Sequence, residues 1–220
     1  MLINEIYEVF RQMVNSQQSG GYFNATNFNN YCDYAQNAVI NELSEIADYN
    51  QRVISLSSDV LKTATINVVD GVAALPSDYF IYLDANAMFY DNEAKKFNEY
   101  PADYIGKSER GERLRSKIVD PQADYPMVTE GFGGLLVEPS EVSRIKLTYY
   151  FQPDAPVWAG TDTVPPVFDP NTSTDFVLGE KFKNILVNKI LSYAGIEIRE
   201  PYLLQATTQS LIKPTGNPTN

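Results

Sequence analysis

Histidine is absent from this 220-residue chain. That one absence removes Ser-His-Asp and Cys-His catalysis, histidine-ligated zinc and imidazole proton transfer. Cys32 is the only cysteine, so neither an intrachain disulfide nor a cysteine-rich metal site is available. No run approaches the roughly 18 apolar residues of a membrane span. The N-terminal MLINEIYEVF carries acidic residues where a secretory signal is basic. These features read as a soluble chain that folds in a reducing cytoplasm and is not exported by that route. Positive charge is also scarce: 17 Lys and Arg stand against 28 Asp and Glu, a formal net charge of −11. Such a chain is repelled by nucleic acid and anionic membranes unless a local basic patch offsets the average.

What is present is a globular composition, 44% hydrophobic and 20% charged, unusually rich in Tyr and Phe, with Trp158 the lone tryptophan. In LINEIYEVFRQMV, Ile3, Ile6, Phe10, Met13 and Val14 recur at helical spacing, and the helix should end before SQQSGG, with Gly20 or Gly21 as cap. A second helix is expected from Thr26, as N-cap, to about Tyr49. Its apolar stripe is Phe28, Tyr31, Cys32, Ala35, Val39, Leu43 and Ile46, with Cys32 as a small core residue. From about residue 64 the period becomes that of strands. Asp70-Gly71 marks a tight hairpin. Tyr79, Ile81, Leu83, Ala85, Ala87 and Phe89 alternate along one strand face, and Ile145, Leu147, Tyr149 and Phe151 along another. LPSDYFIYLDA, at 75–85, reads as the junction of helices and sheet, with Ser77 and Asp78 binding backbone amides of a turn rather than acting as nucleophile and acid.

Residues 92–119 are mixed and charged, with one or two short helices interrupted by Gly106 and Gly111. They hold the densest basic cluster, Lys107, Arg110, Arg113, Arg115 and Lys117, interleaved with Glu109 and Glu112. That pattern reads as a solvated, salt-bridged face or as a contact to an acidic partner or DNA phosphates. Residues 152–175 form a Pro-rich loop of the kind that is functional or ordered by a partner. Pro156, Trp158, Pro165, Pro166 and Phe168 make it a candidate intersubunit arm. A helix capped by Thr174 or Asp175 follows, with Leu178, Phe182, Ile185, Leu186, Ile190 and Tyr193 on one side and Gly195 at its end. Glu200-Pro201 opens a last helix, and the tail after Ile212 is unanchored.

The order is helix, helix, strands, helix, helix, which predicts an α+β protein. Residues 1–62 and 176–213 supply the helices of one bundle, 63–175 an inserted antiparallel β-rich domain of sandwich or barrel type, and 214–220 a tail. No catalytic, cofactor or metal site emerges. GFGG at 131–134 lacks the helix and Lys-Ser of a phosphate loop and reads as a hairpin turn. The sequons at Asn24 and Asn171 lack a secretory context. Asp154, Asp162, Asp169 and Asp175 fit no EF-hand spacing. Glu93/Glu99 and Asp120/Asp124 have no evident pocket in which to act as acid and base.

Several stretches carry a family resemblance. LPSDYFIYLDA resembles the strand-opening segment of head-to-tail connector proteins of tailed phages. IGKSERGERLRSKIVDPQADYPMV and GGLLVEPSEVSRIKLTYYFQPDAPVW are similar to their middle region. SGGYFNATNFNNYCDYAQN and STDFVLGEKFKNILVNKILSYAGIEIREPYLLQ resemble the helical segments of virion proteins from crAss-like podoviruses. The resemblance spans nearly the whole chain, departing from the family in a shortened basic middle and a polar loop at 159–175. It implies a neck protein forming a homo-oligomeric ring of about twelve subunits through head-to-tail contacts. Its partners would be the portal and other neck or tail proteins, in the virion and, during assembly, the host cytoplasm. DNA would pass through the channel without specific binding, with no membrane contact, cofactor or catalytic residues. A receptor-binding tail module would instead show β-repeats, and a histidine-free enzyme two convergent carboxylates.

Overall fold

The computed structural model describes residues 2–17, 25–47, 50–161 and 167–195. Among them lie helices α1 (Ile3–Gln17), α2 (Ala25–Ala47), α3 (Gln51–Leu56), α4 (Lys107–Arg113) and α5 (Lys183–Tyr193). The strands are β1 (Leu61–Val69), β2 (Val72–Ala73), β3 (Tyr79–Asp91), β4 (Lys96–Pro101), β5 (Asp103–Tyr104), β6 (Met127–Gly131), β7 (Gly134–Glu138) and β8 (Arg144–Phe151). The protein is mixed α+β, with an eight-stranded, nearly closed, barrel-like sheet. The chain divides into two units, Met1–Val60 with Pro153–Asn220, and Leu61–Gln152. The Pro-rich segment therefore belongs with the helices, which corrects its expected place in the β-rich domain. The readings of Gly20, Gly21, Pro165, Pro166, the helix after Glu200, the tail and the side chain of Val14 lie outside the described residues.

In the first unit, α5 packs on both α1 and α2. Ile3, Ile6, Tyr7 and Phe10 form the buried stripe of α1, and Met13 is more exposed than its spacing suggests. The helix continues to Gln17, slightly past its expected end. Helix α2 begins at Ala25, which puts Thr26 inside its first turn rather than at the cap. Its stripe includes Phe28, Cys32, Ala35, Val39 and Leu43 as expected, and also Ile40 and the polar Gln36. Burial holds the Cys32 thiol well above its ordinary pKa, as suits an inert core residue. Helix α5 starts at Lys183, after a single 3₁₀ turn at Glu180–Phe182, well beyond Thr174 and Asp175. Asp175 is engaged elsewhere: its Oδ1 accepts the Ile3 amide at 2.8 Å and so satisfies the open N-terminus of α1. Gly195, at φ 73°, follows the end of α5 in the left-handed region, where glycine is favoured.

The β unit starts at Leu61, slightly before the period-two pattern becomes legible. Strands run in the order β4-β3-β8-β1-β2-β7-β6-β5. Asp70 and Gly71, at φ 51° and 74°, form the β1–β2 turn, as their sequence requires. Ala85, Ala87, Val128, Leu135, Val137, Ile145, Leu147 and Tyr149 fill the core. Strand β3 breaks the simple alternation. Register shifts against β8 between Tyr79 and Ile81 and between Tyr82 and Asp84 insert extra residues. Tyr79, Tyr82 and Phe89, with Ala85 and Ala87, therefore face the core, and Ile81 and Leu83 do not.

Strands β4 and β5 lie in the stretch expected to be irregular. They are one chain segment bent at Ala102: β4 pairs antiparallel with β3, and β5 parallel with β6. The Ala102 amide still bonds to Ala85 O at 2.9 Å, whereas those of Asp103 and Ile105 bond to Pro126 O and Val128 O, both at 2.9 Å. Pro101, which has no amide to donate, stands where the pairing switches. One segment thereby ties together the two ends of the sheet. LPSDYFIYLDA lies within this unit, not at the junction between units: Leu75 packs on the barrel core.

Candidate functional site

Helix α4 holds the first three residues of the sequence-predicted cluster, Lys107, Arg110 and Arg113, and Gly111 lies inside it without interrupting it. Its position is fixed by two ion pairs. Arg110 reaches Glu138 at 2.8 Å and Arg113 reaches Asp103 at 3.3 Å. Arg110 is half-buried, and its bond to Glu138 ties the guanidinium to the barrel wall, while its buried Nε has no hydrogen-bond partner. Ahead of the helix, Ile105 is buried. Lys107, Arg115 and Lys117 form no ion pair among the described residues. The cluster thus divides into two structural arginines and three uncommitted cations.

The chain beyond α4 is ordered without regular structure. Ser116 Oγ accepts the amides of Ile118 and Val119 at 3.2 and 3.3 Å, and Gln122 and Tyr125 form an antiparallel bridge. Along this stretch Leu114, Ile118, Val119 and Tyr125 are exposed. An apolar and basic segment is therefore held out from the barrel between α4 and β6. Sequence reading singled out its cations but missed its apolar half, because Leu114, Ile118 and Val119 follow neither helical nor strand spacing.

The Pro-rich segment is not a free arm. Pro156 and Trp158 are buried within the helical unit, which corrects their assignment to an intersubunit contact. The Trp158 ring stacks on Tyr7 at 3.9 Å, and its Nε1 donates to Asn4 Oδ1 at 3.0 Å. Asn29 holds the Trp158 backbone on both sides, accepting from its amide at 2.8 Å and donating to its carbonyl at 3.1 Å. Gln36, fully buried, donates to Asp154 O at 3.2 Å and accepts from the Val177 amide at 3.0 Å. The segment also folds on itself, with bridges Val157–Thr174 and Gly160–Phe168. A Cβ on Gly160 would lie 2.4 Å from the Trp158 ring, so glycine is needed there for the ring to lie flat. Phe168 is half-buried near Trp158, with ring centroids 6.2 Å apart.

Ser77 and Asp78 have separate fates. The turn is closed by the Tyr79 amide to Pro76 O at 3.0 Å, and Ser77 is exposed. The Asp78 carboxylate is held mainly by side chains, taking Lys62 Nζ at 2.6 Å and the Tyr149 hydroxyl at 2.9 Å, with a lesser bond from its own backbone amide. Nearby, the Tyr79 hydroxyl donates to Glu130. The Lys62 bond, then the Tyr149 bond, hold Asp78 below its ordinary pKa. Burial first, then the bond to Asp78, push Tyr149 up to about 12. The same two kinds of cause, with Glu130 as acceptor, raise Tyr79. These bonds staple β1, β3 and β8 at one end of the barrel.

Glu99 pairs with Lys146 at 3.3 Å, and Glu93 sits in the β3–β4 turn. Asp169 caps its own loop, accepting from the Asn171 amide and the Thr172 hydroxyl. GFGG is the β6–β7 turn, where Gly134, at φ 156°, lies so close to Ala73 O that a Cβ would stand 2.3 Å away. Among the described residues no group of three or more Cys, Asp or Glu side chains is placed to hold a metal ion. No described helix is long and apolar enough to cross a membrane.

Two predictions follow from these contacts. Asn29→Leu leaves the Trp158 amide and carbonyl unpaired and should cost about 1–3 kcal/mol in denaturant unfolding. Because Trp158 is the sole tryptophan, its emission should also shift to the red; unchanged emission and stability would show that the clamp is not made. The second concerns pH. A depressed Asp78 contributes stability above its unfolded pKa of 3.8, lost as pH falls through its folded value. A raised Tyr149 contributes stability below pH 10, lost as pH rises toward about 12. Thermal midpoints across pH should therefore show an acid limb weakened in Asp78→Asn and an alkaline limb weakened in Tyr149→Phe. Limbs identical to those of the unsubstituted protein would contradict both assignments.

No known protein family's sequence profile matches this chain, and no curated protein matches it in sequence.

Proposed function

We propose that this protein is a structural subunit of a tailed-phage head-to-tail connector, forming a homo-oligomeric ring below the portal through which DNA passes. The observation that carries the reading is the architecture behind the sequence resemblance. Segments from both ends of the chain share one helical unit, and a self-contained barrel-like sheet is inserted between them. In this reading the terminal helices form the bundle that the connector family leads one to expect.

The polar groups described above support a structural role. Asn29, Gln36, Asp78 and Asp175 each bind another part of the same chain and hold its shape. The segment between α4 and β6 offers a surface for a neighbour. A net charge of −11 favours a channel along which DNA slides without adhering. The mass of the purified full chain, alone and mixed with portal protein, tests the proposal. A ring of about twelve subunits that joins the portal is the expected result. A strict monomer at every concentration, indifferent to portal, would overturn it.

A further inference from the structure

Ile118 is 93% exposed and Tyr125 74%, and Leu114 and Val119 are exposed beside them. Single exposed apolar side chains are ordinary, but a group of them on one short segment marks an interaction surface. The same segment carries Lys107, Arg115 and Lys117, with no ion pair among the described residues. It is also held in place beforehand. Arg110 and Arg113 fix α4, Ser116 caps the turn, and Gln122 pairs with Tyr125. A neighbour binding it would have little chain to order.

We infer that the segment from Lys107 to Tyr125 is a docking projection whose occupant is the acidic surface of a second copy of this chain. Charge complementarity selects that occupant. Residues 107–125 hold five cations and four carboxylates, while the rest of the chain holds 12 cations and 24 carboxylates. Lys107, Arg115 and Lys117, which form no ion pair among the described residues, thus stand as positive points on a molecule that is otherwise strongly negative, and each copy offers the next a complementary field. In the ring reading the contact is head-to-tail, joining two different faces. Nucleic acid is the weaker occupant. The exposed apolar side chains Ile118 and Val119 add nothing to phosphate binding but suit a protein surface. The choice of a second copy rests on the ring reading above; the existence of the docking surface does not.

Light scattering of the full chain across protein and salt concentration provides the test, with the variants Arg115→Glu/Lys117→Glu and Ile118→Ser and the control Lys95→Glu/Lys96→Glu. All these side chains are exposed, and near-ultraviolet dichroism verifies that each variant folds. The unsubstituted protein and the control should assemble, more weakly as salt rises. Each projection variant should need at least about tenfold more protein to assemble. Projection variants that assemble like the unsubstituted protein would overturn the inference and leave the ring reading standing. A chain that never self-associates would overturn both. A labelled DNA duplex that binds the unsubstituted protein and not Arg115→Glu/Lys117→Glu, with self-association unchanged, would assign the surface to nucleic acid instead.

Discussion

The β unit depends on one change of partner at Ala102. Up to that residue the chain pairs with β3, and from Asp103 onward with β6. Without the switch, β4 and β5–β6 would be the two edges of an open sheet, each with a row of unpaired backbone groups. With it, both edges are tied by a single segment, and the inward faces of β3, β6, β7 and β8 enclose one core. Small residues make this possible. Ala73, Ala85, Ala87 and Ala102 leave room at the centre for Leu135, Ile145, Leu147 and Tyr149. The bulges in β3 add to the closure by bending that strand and turning Tyr79 and Tyr82 inward.

The helical unit solves a different problem. The Pro-rich segment after Pro153 has little regular structure, so its backbone groups need partners that helices and ladders do not supply. Side-chain amides provide them: Asn29 serves both polar groups of Trp158, and Gln36 joins Asp154 to Val177. The Trp158 ring adds apolar area against Tyr7. A buried glutamine on an otherwise apolar helix face is costly unless fully bonded, and here both ends of its amide are used.

These cases separate what the sequence makes legible from what it does not. Local chemistry is readable: the helical spacing of α1 and α2, the Asp-Gly turn, the glycine after α5, and the alternation in β8 are set by neighbours in the chain. Long-range polar pairing is not. Asp175 resembles the cap of the helix that follows it, and only folding reveals that it caps α1 instead. Gln36 interrupts an apolar stripe, and nothing near it in sequence names its partners. Strand β4 is hidden because its stability comes from cross-strand aromatic contacts, Tyr90 with Phe97 and Phe89 with Tyr100, and not from its own pattern. In the candidate site the cations were visible as a cluster. Their division into anchors and free charges depends on Asp103 and Glu138, which lie on other strands.

The projection after α4 stands on that nearly closed sheet, since Ile105 and Met127 at its two ends are core residues and the ties to Asp103 and Glu138 fix its base. Closure is therefore the feature on which the proposed docking surface rests. Amide hydrogen exchange of the full chain, resolved residue by residue, measures it directly. Closure predicts that the amides of Ala102, Asp103 and Ile105 exchange as slowly as those of the central β3–β8 ladder, through the same cooperative opening. Exchange at these three amides as fast as in an exposed loop, with β3 and β8 still protected, would mean that the sheet is open and that the segment has no fixed base.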